Sequence, residues 1–415
     1  MTLKQLLPLF VLLFAATSSV SAQNAKKLTV TEKVKVSGDL AREPMVAEAP
    51  NGDLYVTGYR NGSTSPQLWK STDSGKTWQM LDVGTVADGA DGNSDVDLVV
   101  DDTGKVYFLT MKFTKVPEDT SNFDWSSMKG IHIALGQSDN GGEDWKWDFI
   151  SQNDFDDRPW VTLASDKSVH IVWNDGNGVH YRVSEDNGAS WQERPKIHDL
   201  GGSSHFTAGP NGLLAARVSP MSASGNRFDA EVDLIKVSKD LGKTWNSVPL
   251  PGMREWSPEL GKGLPRWVEP LAFSEKGELF HVWSEGQVLK MGVWDETQSD
   301  WAITTVSTSE QSIYYPFMSM GEDGPLLTWV SGMNETLKHH AAVLTQKDGT
   351  WHVHEMTPTA LPEITSRFGM GDAMAVGGEY FPLIQLQNGD FAMITTVQDN
   401  KNQDYGFTWW RLSLQ

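Results

Sequence analysis

The sequence predicts an all-β chain folded as a single β-propeller, with seven four-stranded blades as the first count and six as the alternative. Three observations carry this: a hairpin unit recurs seven times, a Ser-x-Asp-x-Gly-x-x-Trp segment follows it in four units, and one apolar-alternating strand at the start of the chain lacks a partner. Amphipathic helical periodicity is scarce throughout.

Each unit opens with a short apolar strand, a polar turn and a second apolar strand. In chain order "REPMVAEA" leads to "PNGDLYVTG", "DVDLVVD" to "DTGKVYFLT", "RPWVTLA" to "SDKSVHIVW" and "HFTAG" to "GPNGLLAAR". Then "WVEPLAF" leads to "EKGELFHVW", "YYPFMSM" to "EDGPLLTWV" and "YFPLIQL" to "QNGDFAMIT". Glycine stands in six of these seven turns, where positive φ costs it little. A third strand then runs into "STDSGKTW" (from Ser71), "SDNGGEDW" (Ser138), "SEDNGASW" (Ser184) or "SKDLGKTW" (Ser238), and a fourth strand follows. Units five and six keep worn versions, "WDETQSDW" and "LTQKDGTW". Four strands at a period of 45–65 residues describe a propeller blade. The seventh unit holds only three strands. "KLTVTEKVKV" (Lys27–Val36) supplies the missing one, and that pairing would close the ring and leave no open edge.

The start of the chain has a different character. Lys4 precedes the apolar run Leu6–Ala16, and "TSSVSA" leads with small residues to Gln23. This is the pattern of a secretory signal peptide over residues 1–22, too short to span a membrane, with one domain over 23–415. Export to the periplasm or beyond is the expected location. With no cysteine, stability rests on a core and not on disulfides. A formal charge of −20 argues against nucleic-acid and anionic-membrane partners. A monomer is expected.

First-strand starts and second-strand ends share one mouth of a propeller. There the sequence collects Arg42, Glu43, Tyr59, Arg60, Asp157, Arg158, His205, Arg217, Arg266, Glu269, Tyr315 and Tyr380. Arginine offers carboxylates a planar two-pronged donor, so Arg42, Arg60, Arg158, Arg217 and Arg266, with Asp157, suggest an anionic ligand. The alternative is that each pairs with a neighbouring acid and pins adjacent blades. His205 is a candidate general base. The run "DGADGNSDVD" sets Asp91, Asn93, Asp95 and Asp97 at alternate positions, an oxygen-ligand spacing that suits calcium, although Val96 stands where an EF-hand loop has glycine. "NDFDD" (Asn153–Asp157) is a second candidate of that kind. No cofactor is required by the pattern.

The four Ser-x-Asp-x-Gly-x-x-Trp segments resemble the Asp-boxes, or BNR repeats, of sialidase-like propellers. The resemblance implies that Asp73, Asn140, Asp186 and Asp240 are structural and sit opposite the ligand mouth. It further implies that Arg42, followed by Pro44, matches a substrate-clamping arginine and Arg60 a further sialidase arginine, that Tyr380 in "GEYFPLIQLQNGDF" is the nucleophile and that Glu269 in "RWVEPLAFSEKGEL" is its partner. The chain departs from that pattern at Glu43, in "NGSTSPQ" where an acid/base aspartate belongs, and at two further clamp arginines. "DFDDRPWVTLASDKSVHIVWND" (Asp154–Asp175) is similar to a blade start of exported sialidase-like proteins. The expected function is an exported propeller that binds an anionic carbohydrate and acts as a sialidase-type glycosidase. A non-catalytic glycan- or protein-binding propeller and a polysaccharide lyase using His205 are the alternatives.

Overall fold

The computed structural model describes residues 26–59, 66–114, 129–219, 233–251, 269–332, 337–360, 378–399 and 402–415. The leader expected over 1–22, Arg60 and Arg266 lie outside these residues. The described chain forms seven antiparallel sheets; in six the main strands run in sequence order from one edge to the other, and in the seventh the first strand of the chain lies beside the last. The first strands are Val46–Glu48, Ser94–Val100, Asp157–Leu163, Gly202–Ala208, Leu271–Phe273, Ile313–Gly321 and Leu383–Gln385. The sixth sheet gains a short fifth strand, Thr359–Ala360, on its third. Among the described residues there is no α-helix, only single 3-10 turns at Val86–Asp88 and Pro210–Gly212. None of these is a helix long and apolar enough to cross a membrane.

The ring closes as the sequence predicts. Leu28–Ser37 pairs antiparallel with Asp404–Leu414, from Leu28 opposite Leu414 to Ser37 opposite Gly406. The seventh blade therefore takes its outer strand from the opposite end of the chain. Leu28 is buried with Trp410 and Leu412, while Lys33 lies over the Trp410 ring at 4.3 Å.

Each repeated motif forms the turn between third and fourth strands. In the first copy Asp73 Oδ1 accepts from Thr77 N at 2.8 Å and Asp73 Oδ2 from Thr77 Oγ1 at 2.6 Å. The buried Ser71 hydroxyl accepts from Gly75 N at 2.9 Å and donates to Asp73 at 2.9 Å. The copies at Ser138, Ser184 and Ser238 repeat the serine-to-glycine bond. Side chains that fold back onto their own backbone this way make a rigid turn. Its tryptophan reaches the adjoining blade: Trp78 packs at 5.4 Å on Phe407 and 5.2 Å on Trp409 of blade seven. The repeated Asp and Asn residues are thus spent on turn geometry, on the end away from the first-strand starts.

Candidate functional site

The seven inner strands begin at the other mouth, and four of them carry an extra residue there. The register slips between Ser94 and Val96, Asp157 and Trp160, Ser203 and His205, and Tyr314 and Phe317. Arg158 and Tyr315 lie inside two of these bulges with φ of 49° and 45°, and Glu43 holds the matching place in blade one with φ of 46°. Each precedes a proline, which has no N–H to lose where a ladder is already broken. Left-handed backbone at a non-glycine residue costs about 1–3 kcal/mol and persists only where its surroundings enforce it.

The bulges bring a charged layer together. Arg158 Nη1 meets Glu379 Oε2 at 3.0 Å and the Tyr380 hydroxyl at 3.4 Å. Glu43 Oε1 accepts from Glu379 N at 3.3 Å, and Arg42 bridges to Tyr59 through the backbone. Asp95, Asp157 and Tyr315 join the same electrostatic group. The layer therefore holds two guanidinium groups, four carboxyl groups and three phenols, drawn from blades one, two, three, six and seven.

The balance of charge sets the protonation states. Burial, then the negative charge of Asp95 and Glu379, holds Glu43 well above the usual carboxylate range. Burial also raises Asp95, and it pushes Asp157 up to about 6 against the pull of Arg158. Burial works against the charge on Arg158, but Glu379, Tyr380, Asp157 and Asp95 outweigh it and keep the guanidinium protonated. Tyr380 is driven well above the ordinary phenol range, chiefly by burial. A phenol so raised is a poor nucleophile near neutral pH.

Beneath this layer the channel is filled. Trp160, His205, Phe317 and Tyr380 form a cycle with ring centroids 4.9, 5.9, 6.1 and 5.2 Å apart. His205 is buried, accepts from Leu271 N through Nδ1 at 3.2 Å, and is held down to about 3 by burial and by His281. It is a packed, neutral ring.

Other residues expected at this mouth make their contacts outside this layer. Arg217, fully buried, meets Asp233 at 2.5 Å and Glu269 at 3.2 Å, and His281 lies 3.6 Å from Glu269. Glu269 thus sits with Arg217 and His281, whereas the hydroxyl of Tyr380 meets Arg158. Asp91 is met by Lys112 at 2.6 Å, and Asn93 Oδ1 accepts from Phe113 N at 2.7 Å. Asp97 accepts from Leu98 N and Val161 N, both at 2.8 Å. The calcium-type spacing therefore spreads its oxygens over several protein donors, and only Asp95 reaches the charged layer. Glu379 and Asp233 were not anticipated from the sequence. The place of Glu379 beside Tyr380 is a signal that could have found it.

At the opposite end, among the turns of blades four to seven, lies a cavity of about 840 Å³ lined in part by Phe273, Glu275, Met320, Glu322, Gln385 and Asn388. It offers room, whereas the groups with shifted protonation gather at the other mouth.

The fold and this layer define a seven-bladed β-propeller with a polar mouth. No family model and no curated protein matches the chain. Among solved structures it is similar to a protein of unknown function from Dyadobacter fermentans, with TM-score 0.52, 11% identity and coverage of 94% of this chain and 99% of that one. It is also similar to a fungal alcohol oxidase of the AA5 family in complex with copper, at TM-score 0.56, 10% identity and coverage of 94% and 76%. A Trypanosoma rangeli sialidase in complex with the inhibitor DANA aligns at TM-score 0.43 and 13% identity, over 94% of this chain and 58% of its own. At such identities the likeness shows the fold alone, and the sialidase alignment is too loose to carry an argument.

Proposed function

We propose that this protein binds a carbohydrate at the first-strand mouth, and that the ligand is an uncharged sugar. The observation that carries the reading is the layer of two guanidiniums, four carboxyls and three phenols gathered from five blades. Sugar hydroxyls donate and accept at once; most of this layer is buried, and Asp95 and Asp157 are its partly exposed members, placed to meet a ligand. Arg158 is already paired with Glu379 and Arg217 with Asp233 and Glu269, so the charge of both guanidiniums is met within the protein and less of it is left for an anionic ligand. Calcium has no part in this reading, because Asp91, Asn93 and Asp97 give their oxygens to protein donors. The leader-like start supports an exported protein that meets glycans outside the cytoplasm.

Hydrolysis is the second reading, favoured by Asp157. A carboxyl held up to about 6 beside other carboxyls is suited to protonate a leaving oxygen, with Asp95 as the neighbouring acid group.

The test is saturation-transfer NMR and product mass spectrometry on the protein with neutral, sialylated and uronate-containing oligosaccharides. Binding confined to neutral sugars is expected. Free sialic acid would restore Tyr380 as nucleophile, and fragments lighter by one water would point to a lyase using His205. If no sugar binds or changes, the carbohydrate reading fails.

A further inference from the structure

The segment "NDFDD" (Asn153–Asp157) connects blade two to blade three at this mouth, and two of its acids, Asp154 and Asp156, are committed to folding it. Asp156 is fully buried and accepts from Ser151 Oγ and from Asn153 N, both at 2.9 Å. Asp154 pairs with Lys129. Phe155 N donates to Gly130 O at 2.8 Å, and a Cβ on Gly130 would fall 1.5 Å from Asp156 O, so the turn lies flat against that glycine.

What this framework displays is a phenyl ring. Phe155 is 46% exposed and is held at φ 71°, a conformation uncommon for a bulky side chain. Lys129 Nζ stands 5.9 Å from the ring centroid. Neither the exposure nor the backbone strain helps folding. The next connection at the same mouth, from blade three to blade four, presents Leu200 at 50% exposure, with its N–H tied to His198 Nδ1 at 3.1 Å. The two apolar side chains thus stand on the connections that enter and leave blade three, whose first strand begins with Asp157 and Arg158.

We infer that Phe155 is the platform on which a sugar ring of the ligand stacks, with Leu200 as the apolar rim on the other side of that strand. The inference rests on the carbohydrate reading above and deepens it by naming a subsite and a sugar class. The face of an aromatic ring is electron-rich and attracts polarised C–H groups. The class that fits is a β-linked glucopyranose or xylopyranose, in which the axial C–H groups of C1, C3 and C5 share one face. A furanose, with its puckered five-membered ring, offers no equivalent face. A pocket that combines a few convergent polar groups with an apolar wall is the ordinary form of a small-ligand site.

The experiment is calorimetric titration of the full chain with cellotetraose, xylotetraose and arabinofuranosyl tetraose, using wild type, Phe155→Ala, Phe155→Trp, Phe155→Gly and Asp157→Asn. The two pyranose tetraoses are expected to bind wild type. Phe155→Ala should weaken them by roughly tenfold and Phe155→Trp should keep them. Phe155→Gly should lose affinity while melting no lower than wild type, since glycine relaxes the positive φ. Unchanged binding in Phe155→Ala, with loss in Asp157→Asn, would overturn the platform and leave the carbohydrate reading standing. A lower melting temperature in Phe155→Gly with binding lost in Phe155→Trp would also overturn it, as the mark of a folding role. Failure of every sugar to bind wild type would remove both the platform and the reading beneath it.

Discussion

Arg158 and Glu379 stand 221 positions apart in the chain and meet at 3.0 Å across the propeller channel. One belongs to the first strand of blade three and the other lies just before that of blade seven, so neither neighbours the other around the ring. The pair therefore ties opposite sides of the ring, above the aromatic cycle that fills the channel.

Removing one partner of this pair should cost more than the pair itself contributes. Arg158→Met leaves Glu379 without its paired cation and removes a positive charge that acts on Glu43, Asp95 and Asp157, and a destabilisation of about 3–5 kcal/mol is expected. Urea unfolding at pH 7 measures it. The loss should shrink at pH 5, where the raised carboxyls take up protons. An equal loss at both pH values would argue against the charge account.

Asp157 should leave its mark on stability against pH. Its folded pKa of about 6 lies above the ordinary value of 3.8, so the folded state holds this proton more tightly. Its contribution is fully present below about pH 4 and is lost as pH rises through 6. Relative to Asp157→Asn, wild type should therefore lose ground between pH 4 and 7. Calorimetric melting of both proteins across that range checks this. A constant difference would mean the carboxyl titrates normally.

The buried serine and the glycine of each repeated turn should both matter to stability, the glycine more. Ser238→Ala leaves Gly242 N, now bonded to the buried hydroxyl at 2.8 Å, without that acceptor. A loss of about 1–3 kcal/mol is expected. Gly75→Ala should be worse, since its φ is 89° and a Cβ there would lie 2.4 Å from Trp409 Nε1. Denaturant midpoints of the two variants give the order.

Deleting residues 26–37 should open blade seven along Asp404–Leu414 and expose an unpaired edge. Size-exclusion chromatography should then show self-association or aggregation in place of the wild-type profile. A truncated chain that eluted and melted as wild type would show that ring closure is dispensable.

Much of the fold was legible because it repeats. Glycine turns between apolar strands mark the hairpins, and the Ser-x-Asp-x-Gly-x-x-Trp segments mark the outer turns with side chains that bond within a few residues of themselves. The first-strand starts were legible as a mouth for the same reason, and Arg42, Asp157, Arg158 and Tyr380 were expected there. Their partners were not. Glu379 meets Arg158 and Asp233 meets Arg217 over separations no local pattern records. Asp95 and Asp97 sit two residues apart in one acidic run, yet a bulge sends Asp95 to the charged layer while Asp97 bonds to the backbone of blade three.

By itself, the sequence determined the architecture of this protein: seven blades, their turns, and a ring closed by its own first strand. These follow from alternation, glycine and short-range hydrogen bonds, which act over a few residues and are written in order. Only the tertiary structure decided which charges neutralise one another, which carboxyls keep their protons, and that Phe155 is displayed at the mouth. Those outcomes depend on burial and on distances across the channel, and both are set when seven separate strands are brought to one axis.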